Sequence, residues 1–254
     1  MDMGNRDTIG RRILIVGGTT EARELAGLLV DAGYEVITSL AGRTDTPRFP
    51  AGIVRIGGFG GKEGLARYIR ENCIDLLVDA THPFAAQISA NCVAAAADAD
   101  VPLIRLERPA WKKPEGATWI EAGTAQDAAD ALPRGARVLL TVGRQELGPF
   151  LAYTGCHYTA RMIEVPAGLP DDWRVIAARG PFTLEDELHL MQERGITHLV
   201  TKNSGGTQVA GKLEAAVQLS IPIIVIKRPR LPKANAVDSV VWAHQSVTRI
   251  FRTG

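Results

Sequence analysis

Short apolar runs and longer stretches of helical spacing alternate along almost the whole chain. That alternation is the mark of βαβ units built on a parallel sheet. The first run, Arg12–Val16, is followed by Gly17-Gly18. Residues 20–32 then place Leu25, Leu28 and Leu29 on one helical stripe, and Gly33 stands where a helix-ending glycine belongs. Further strands are expected at 35–39, Ile53–Ile56, 74–80, 102–106 and near Trp119, with helices at Lys62–Glu71, 85–97 and 125–132. After Pro133-Arg134-Gly135 the pattern restarts, with strands at 137–142, 158–165, 174–178, 198–201 and 222–226 and helices at 184–194 and 208–219. The expectation is an α/β fold of two α/β/α halves with mainly parallel sheets and an interdomain cleft. Residues 1–11 form a polar extension, 12–134 the first domain and 135–254 the second.

At 254 residues the chain is long enough for a core that needs no disulfide or metal staple. The 29 Lys and Arg nearly cancel the 28 Asp and Glu, which argues against a dedicated nucleic-acid binder. The three cysteines, Cys73, Cys92 and Cys156, are sparse and unpaired in spacing, as in a reducing cytoplasm, and each reads as a small buried hydrophobe. No run approaches a membrane span, and the histidines lack metal-ligand spacing, so neither a membrane partner nor a metal is expected.

Gly17-Gly18-Thr19-Thr20-Glu21-Ala22 ends the first strand and opens the first helix. It matches a Rossmann glycine loop at Gly17 and Ala22, with Thr19 in place of the middle glycine. Two glycines and the free N–H groups of a helix start favour a phosphate, and Thr19 and Thr20 add hydroxyls. The plainer reading is a tight turn. NAD sites carry an acid about 20 residues on, at the end of the second strand. This strand ends instead in Thr38-Ser39-Leu40-Ala41-Gly42-Arg43, and Ser39 with Arg43 suits the 2′-phosphate of NADP(H). As a plainer alternative, Arg43 is a solvated loop cation.

Other strand ends carry polar loops. Asp79-Ala80-Thr81-His82-Pro83-Phe84 follows an apolar run, and Thr81, His82 and Pro83 are placed beside the cofactor; His82 is a proton carrier or a loop cap. Thr201-Lys202-Asn203-Ser204-Gly205-Gly206 is the matching cradle in the second half. Arg144, Arg161 and Arg179 also stand at strand ends and would together suit a polycarboxylate. Residues 206–212 imitate a Walker A loop, but Leu213 stands where a Ser or Thr must reach Mg²⁺. The basic run Lys227-Arg228-Pro229-Arg230-Leu231-Pro232-Lys233 reads as a solvated loop. No Tyr-x-x-x-Lys pair and no Gly-x-Ser-x-Gly elbow is present.

Taken together, the Gly17–Ala22 loop, Asp79-Ala80-Thr81-His82-Pro83-Phe84-Ala85, Gly143-Arg144-Gln145, Ala160-Arg161-Met162, Arg179-Gly180-Pro181-Phe182 and Thr201–Gly206 resemble the precorrin-6A reductase family of cobalamin biosynthesis. The resemblance implies NADPH-dependent reduction of one macrocycle double bond of precorrin-6A to give precorrin-6B, with the tetrapyrrole as partner and contacts to neighbouring pathway enzymes possible. On that reading Gly17, Gly18, Thr19, Thr20, Glu21, Ser39, Arg43, Thr81, His82 and Pro83 bind NADPH. Arg144, Arg161, Arg179, Lys202, Asn203, Ser204 and Gly205 bind substrate, and Lys202 and His82 are the catalytic candidates. Two rival readings are a non-catalytic NADP-sensing module and an NADPH reductase of another unsaturated polycarboxylate.

Overall fold

A computed structural model describes residues 10–42, 49–207 and 210–253. They form two compact units. One contains the chain up to Arg108 and again from Pro229; the other is Pro109–Arg228.

In the first unit the order is β1 (Arg12–Val16), α1 (Thr20–Asp31), β2 (Glu35–Leu40), β3 (Ile53–Ile56), α2 (Lys62–Glu71), β4 (Leu76–Asp79), α3 (Ala86–Ala99) and β5 (Leu103–Leu106). The second unit holds β6 (Trp119–Ala122), α4 (Ala125–Asp130), β7 (Arg137–Thr141), a 3-10 turn (Arg144–Glu146), α5 (Gly148–Ala152), β8 (His157–Met162), β9 (Arg174–Ala177), α6 (Leu184–Glu193), β10 (His198–Lys202), α7 (Gly211–Gln218) and β11 (Ile223–Ile226). The chain then returns to the first unit for β12 (Asn235–Val237) and α8 (Val240–Thr253).

Each unit has one six-stranded sheet, β12-β5-β4-β1-β2-β3 and β6-β11-β10-β7-β8-β9, and the strand pairs in both are parallel. Both have the doubly wound 3-2-1-4-5-6 order. The sixth position differs in its source. In the first unit it is filled by the last strand of the chain, and in the second by the strand that precedes all its others.

The core explains why the central strands read as unbroken apolar runs. Ile13 and Ile15 of β1 lie with Leu25, Leu29 and the α8 residues Ala243, Val247 and Phe251. Leu14 and Val16 lie in the opposite cluster with Leu65 and Ile69 of α2 and Cys92 and Ala95 of α3. Both faces of the strand are therefore buried, as a parallel sheet requires. Each such side chain contributes about 1.5–3 kcal/mol by burial. In the second unit Leu139, Leu199, Ile223 and Val225 pack with Met191 of α6 and Ala215 and Ala216 of α7.

The division expected near residues 133–135 is corrected. Residues 119–122 pair with β11, Trp119 opposite Ile223, so the segment before Pro133 belongs to the second unit. The C-terminal segment, expected to hold no further strand, pairs Asn235 with Ile104 and closes the first core through α8. Pairing partners more than 100 residues apart leave no local signal in sequence. Cys92 and Cys156 are buried as expected, whereas Cys73 is exposed. Among the described residues no helix is long and apolar enough to cross a membrane, and no metal-ligating cluster occurs.

Candidate functional site

Ligands of doubly wound sheets bind beyond the carboxyl ends of the strands. In the first unit that edge is made of backbone. The turn after β1 passes Gly17, whose N–H donates to the Ser39 carbonyl at 3.0 Å. A Cβ on Gly17 would sit 3.0 Å from the Ala22 Cβ, so glycine is needed for helix and strand to approach. Gly18 has φ +120° and open space where a side chain would be. Thr19 then caps α1: its hydroxyl accepts from the Ala22 N–H at 3.1 Å and donates to the Ala80 carbonyl at 2.9 Å. One hydroxyl thereby joins the glycine turn to the loop after β4. Glu21 is held by Arg108, whose Nη1 donates to both carboxylate oxygens at 3.1 and 3.0 Å.

The loop after β4 is fixed from below by a buried network. Asp79 accepts from the Thr81 hydroxyl at 2.7 Å, the Thr81 N–H at 3.3 Å and Arg105 Nε at 3.1 Å. Arg105 Nη1 also donates to the Pro232 carbonyl at 2.8 Å, tying in the returning chain. Burial, with Asp79 adding to it, pushes the Cys92 thiol far up, so it stays a neutral packing group. At the tip, His82 Nδ1 accepts the Phe84 N–H at 3.3 Å, which leaves the ring hydrogen of the neutral imidazole on Nε2.

In the second unit the carboxyl edge is made of paired side chains. Lys202, at the end of β10, donates from Nζ to Glu146 at 3.0 Å. The pair lies over Gly143, where a Cβ would come 2.8 Å from Glu146 Oε2 and 3.3 Å from Lys202 Nζ. The loop beyond Lys202 is gripped. Asn203 Oδ1 accepts the Trp111 N–H at 2.7 Å, and its Nδ2 donates to the Trp111 carbonyl at 3.0 Å. Trp111 Nε1 donates to the Gly206 carbonyl at 2.8 Å. Arg228 donates to the carbonyls of Asn203 (2.8 Å) and Ser204 (3.2 Å). Gly205, at φ +68°, has no room for a Cβ, which would stand 2.1 Å from the Pro109 carbonyl oxygen.

The precorrin-6x reductase CbiJ/CobK family model matches residues 12–247. The chain belongs to that family. It is 49 % identical to the precorrin-6A reductase of Rhodococcus erythropolis over 236 residues, covering 91 % of this chain and 95 % of that protein. The cobalt-precorrin-6A reductase of Priestia megaterium is 33 % identical, with 93 % and 99 % covered. A solved CobK precorrin-6A reductase superposes with a TM-score of 0.90 at 42 % identity, over 94 % of this chain and 96 % of that one. As a CbiJ/CobK reductase the chain is an oxidoreductase, of a kind that needs a nicotinamide cofactor.

Within this reductase fold the expected site residues separate into three groups. Gly17, Gly18, Thr19, Thr20, Ser39, Thr81, His82 and Pro83 all lie on the carboxyl edge of the first sheet, and Lys202 and Ser204 on that of the second. Arg144 and Arg179 are exposed at strand ends of the second sheet. Three expected ligands have structural partners instead. Arg161 is 8 % exposed and makes a two-pronged ion pair with Glu187 at 2.9 and 2.7 Å, its guanidinium 3.9 Å from the Phe182 ring. Asn203 has its amide engaged by the Trp111 backbone, and Glu21 serves Arg108. Arg43 lies outside the described residues. Sequence reading missed Glu146 and Trp111 and took Arg228 for part of a solvated loop; their partners are 24 to 95 residues away. It also missed Arg55, although a second glycine-rich stretch, Gly57-Gly58-Phe59-Gly60-Gly61, begins two residues after it.

Proposed function

We propose that this chain reduces one carbon–carbon double bond of precorrin-6A with NADPH, giving precorrin-6B in cobalamin biosynthesis. One observation carries the reading: relatives named for this reaction match nearly the full length of the chain, at 49 % and 45 % identity. Relatives named for the cobalt-containing macrocycle stand at 33, 30 and 27 %. On that difference we assign the cobalt-free substrate.

The residues present fit a nicotinamide dinucleotide. Open space over Gly18, the N-terminus of the 12-residue α1 and the Thr19 cap form a cradle for a pyrophosphate. Ser39, a hydroxyl in place of the usual acid at the end of β2, favours NADPH over NADH. When bound, the cofactor supplies a hydride. The protein's own contribution is orientation and charge. Glu146 holds the Lys202 ammonium at the strand end, where it meets a carboxylate arm of the macrocycle or gives up its proton to the carbon next to the one reduced. His82, in its protonated form, is the second candidate proton source. Arg144 and Arg179 receive further carboxylate arms. The balanced charge and the absence of a membrane-crossing helix among the described residues fit work in the cytoplasm on a small molecule, without nucleic acid.

The test is anaerobic incubation with precorrin-6A and either NADPH or NADH, following both chromophores. NADPH oxidation that requires the tetrapyrrole supports the reading. NADPH binding without oxidation by any acceptor would make the chain a sensor module instead. Lys202→Ala should lower turnover at saturating NADPH, and unchanged turnover removes Lys202 from the chemistry.

A further inference from the structure

The strongest unassigned feature is the end of β3. Arg55 points its guanidinium along the carboxyl edge beside β2. Its Nη1 donates to Ser39 Oγ at 3.2 Å and to the Gly57 carbonyl, and its Nη2 donates to the Gly58 carbonyl at 2.9 Å. The guanidinium carbon lies 4.0 Å from the centre of the Phe59 ring and 5.2 Å from that of Tyr68, and these two rings meet edge to face at 5.2 Å. Among the described residues no carboxylate is within ion-pair distance of Arg55. The cation is thus held by two carbonyls, a hydroxyl and an aromatic ring, none of which neutralises it. A guanidinium has five N–H groups. Three are engaged here, which leaves Nε–H and one Nη2–H. Ser39, only 4 % exposed, accepts from Arg55 and keeps its own O–H to donate. The following loop leaves room: Gly57, Gly58 and Gly60 have nothing within 4 Å of a would-be Cβ.

Three donors and an uncompensated positive charge at the junction of β2 and β3 match a phosphate monoester with three acceptor oxygens. In this strand order the end of β2 is where the adenosine ribose of a dinucleotide lies. We propose that Arg55, set by Ser39 and the Gly57–Gly58 carbonyls, is the residue that reads the 2′-phosphate of the cofactor. The proposal rests on the NADPH reading above, and its test separates the two.

The full-length protein is titrated calorimetrically with NADP⁺, NAD⁺, 2′,5′-ADP and 5′-AMP, with inorganic phosphate as competitor. The wild type is expected to prefer each 2′-phosphorylated ligand over its partner. Arg55→Ala should weaken NADP⁺ and 2′,5′-ADP by roughly 10- to 100-fold and NAD⁺ and 5′-AMP less than about threefold. Arg55→Lys, which keeps the charge but loses the fork, should fall between them. The wild-type preference should also shrink below about pH 6, as the phosphate takes up its second proton, and Arg55→Ala should lose that pH dependence. Equal losses for all four ligands would make Arg55 a mere support of the loop and overturn the proposal. So would an unchanged preference in a folded Arg55→Ala protein. A wild type with no 2′-phosphate preference would sink the NADPH reading itself. If Arg55→Ala does not fold, Arg55→Lys and Ser39→Ala carry the same comparison.

Discussion

The two sheets share an order, and at their amino edges they share much of their detail. In the first unit the Arg12 N–H donates to Asp75 at 2.7 Å, the Asp75 N–H donates back to the Arg12 carbonyl at 2.9 Å, and the Arg12 guanidinium reaches the Asn72 carbonyl beyond α2. In the second, the Arg137 N–H donates to the Thr197 hydroxyl at 3.0 Å, the Thr197 N–H returns to the Arg137 carbonyl at 2.8 Å, and the Arg137 guanidinium reaches the Gly195 carbonyl beyond α6. The carboxyl edges have no such correspondence. One offers glycine turns with open space above Gly18 and Gly57, and the other closes its glycines under Lys202–Glu146 and Pro109. The edge that only holds the fold is built the same way twice. The edge proposed to meet ligands is glycine backbone with Arg55 beside it in one unit, suited to phosphates, and charged side chains in the other, suited to carboxylates.

The buried arginines test this contrast first. Arg161→Met strands Glu187, a carboxylate 1 % exposed and held by both prongs of Arg161, and should cost about 3–5 kcal/mol in urea unfolding. Arg105→Met leaves Asp79 with the Thr81 hydroxyl and N–H, so its cost should be smaller, about 2–3 kcal/mol. Equal costs would mean that the Thr81 bonds do not support Asp79. The glycines come next. Gly205→Ala sets a methyl against a backbone carbonyl at positive φ and should destabilise by about 2–4 kcal/mol. Gly18→Ala meets no atom and should cost only about 1 kcal/mol, from its φ, yet weaken NADP⁺ binding by roughly tenfold, because the methyl fills the cradle. A Gly18→Ala protein with full cofactor affinity would show that the turn holds no phosphate.

The same contrast explains what could be read from sequence. Helices such as Lys62–Glu71 and strands such as Arg12–Val16 follow from local periodicity, and the structure has them at those bounds. The glycine turn after β1 was legible because a backbone site leaves glycines behind in order. Lys202 was legible as a cation at a strand end. Its partner Glu146, 56 positions away, was not, and neither was the pairing that buries Arg161 against Glu187. β12 escaped because three residues, Asn235–Val237, carry no periodicity of their own. Arg55 was overlooked because the cation for Ser39 was sought along the same strand, while a sheet brings it from the next one.

The smallest expected effect lies at the amino edges, where one residue breaks their likeness. His198 starts β10, with Thr197 Oγ1 3.0 Å from its Nδ1, and burial lowers its pKa from the ordinary 6.5. A group with a lowered folded pKa gives stability that is present above its unfolded value and is lost as pH falls through the folded one. Here the unfolded imidazole binds a proton from about pH 6.5 downward while the folded one resists, so the second unit should weaken as pH drops below that value. Because the ring is only partly buried, the loss is small. Between pH 7.5 and 5.5 the wild-type Tm should fall by roughly 1–2 °C more than that of His198→Gln. The first unit has no histidine at the matching place: the residue after Asp75 is Leu76, fully buried. Hydrogen exchange over the same pH range should therefore show loosening in β7 and β10 but not in β1 and β4. Equal loosening in both sheets would mean that the acid response does not come from His198.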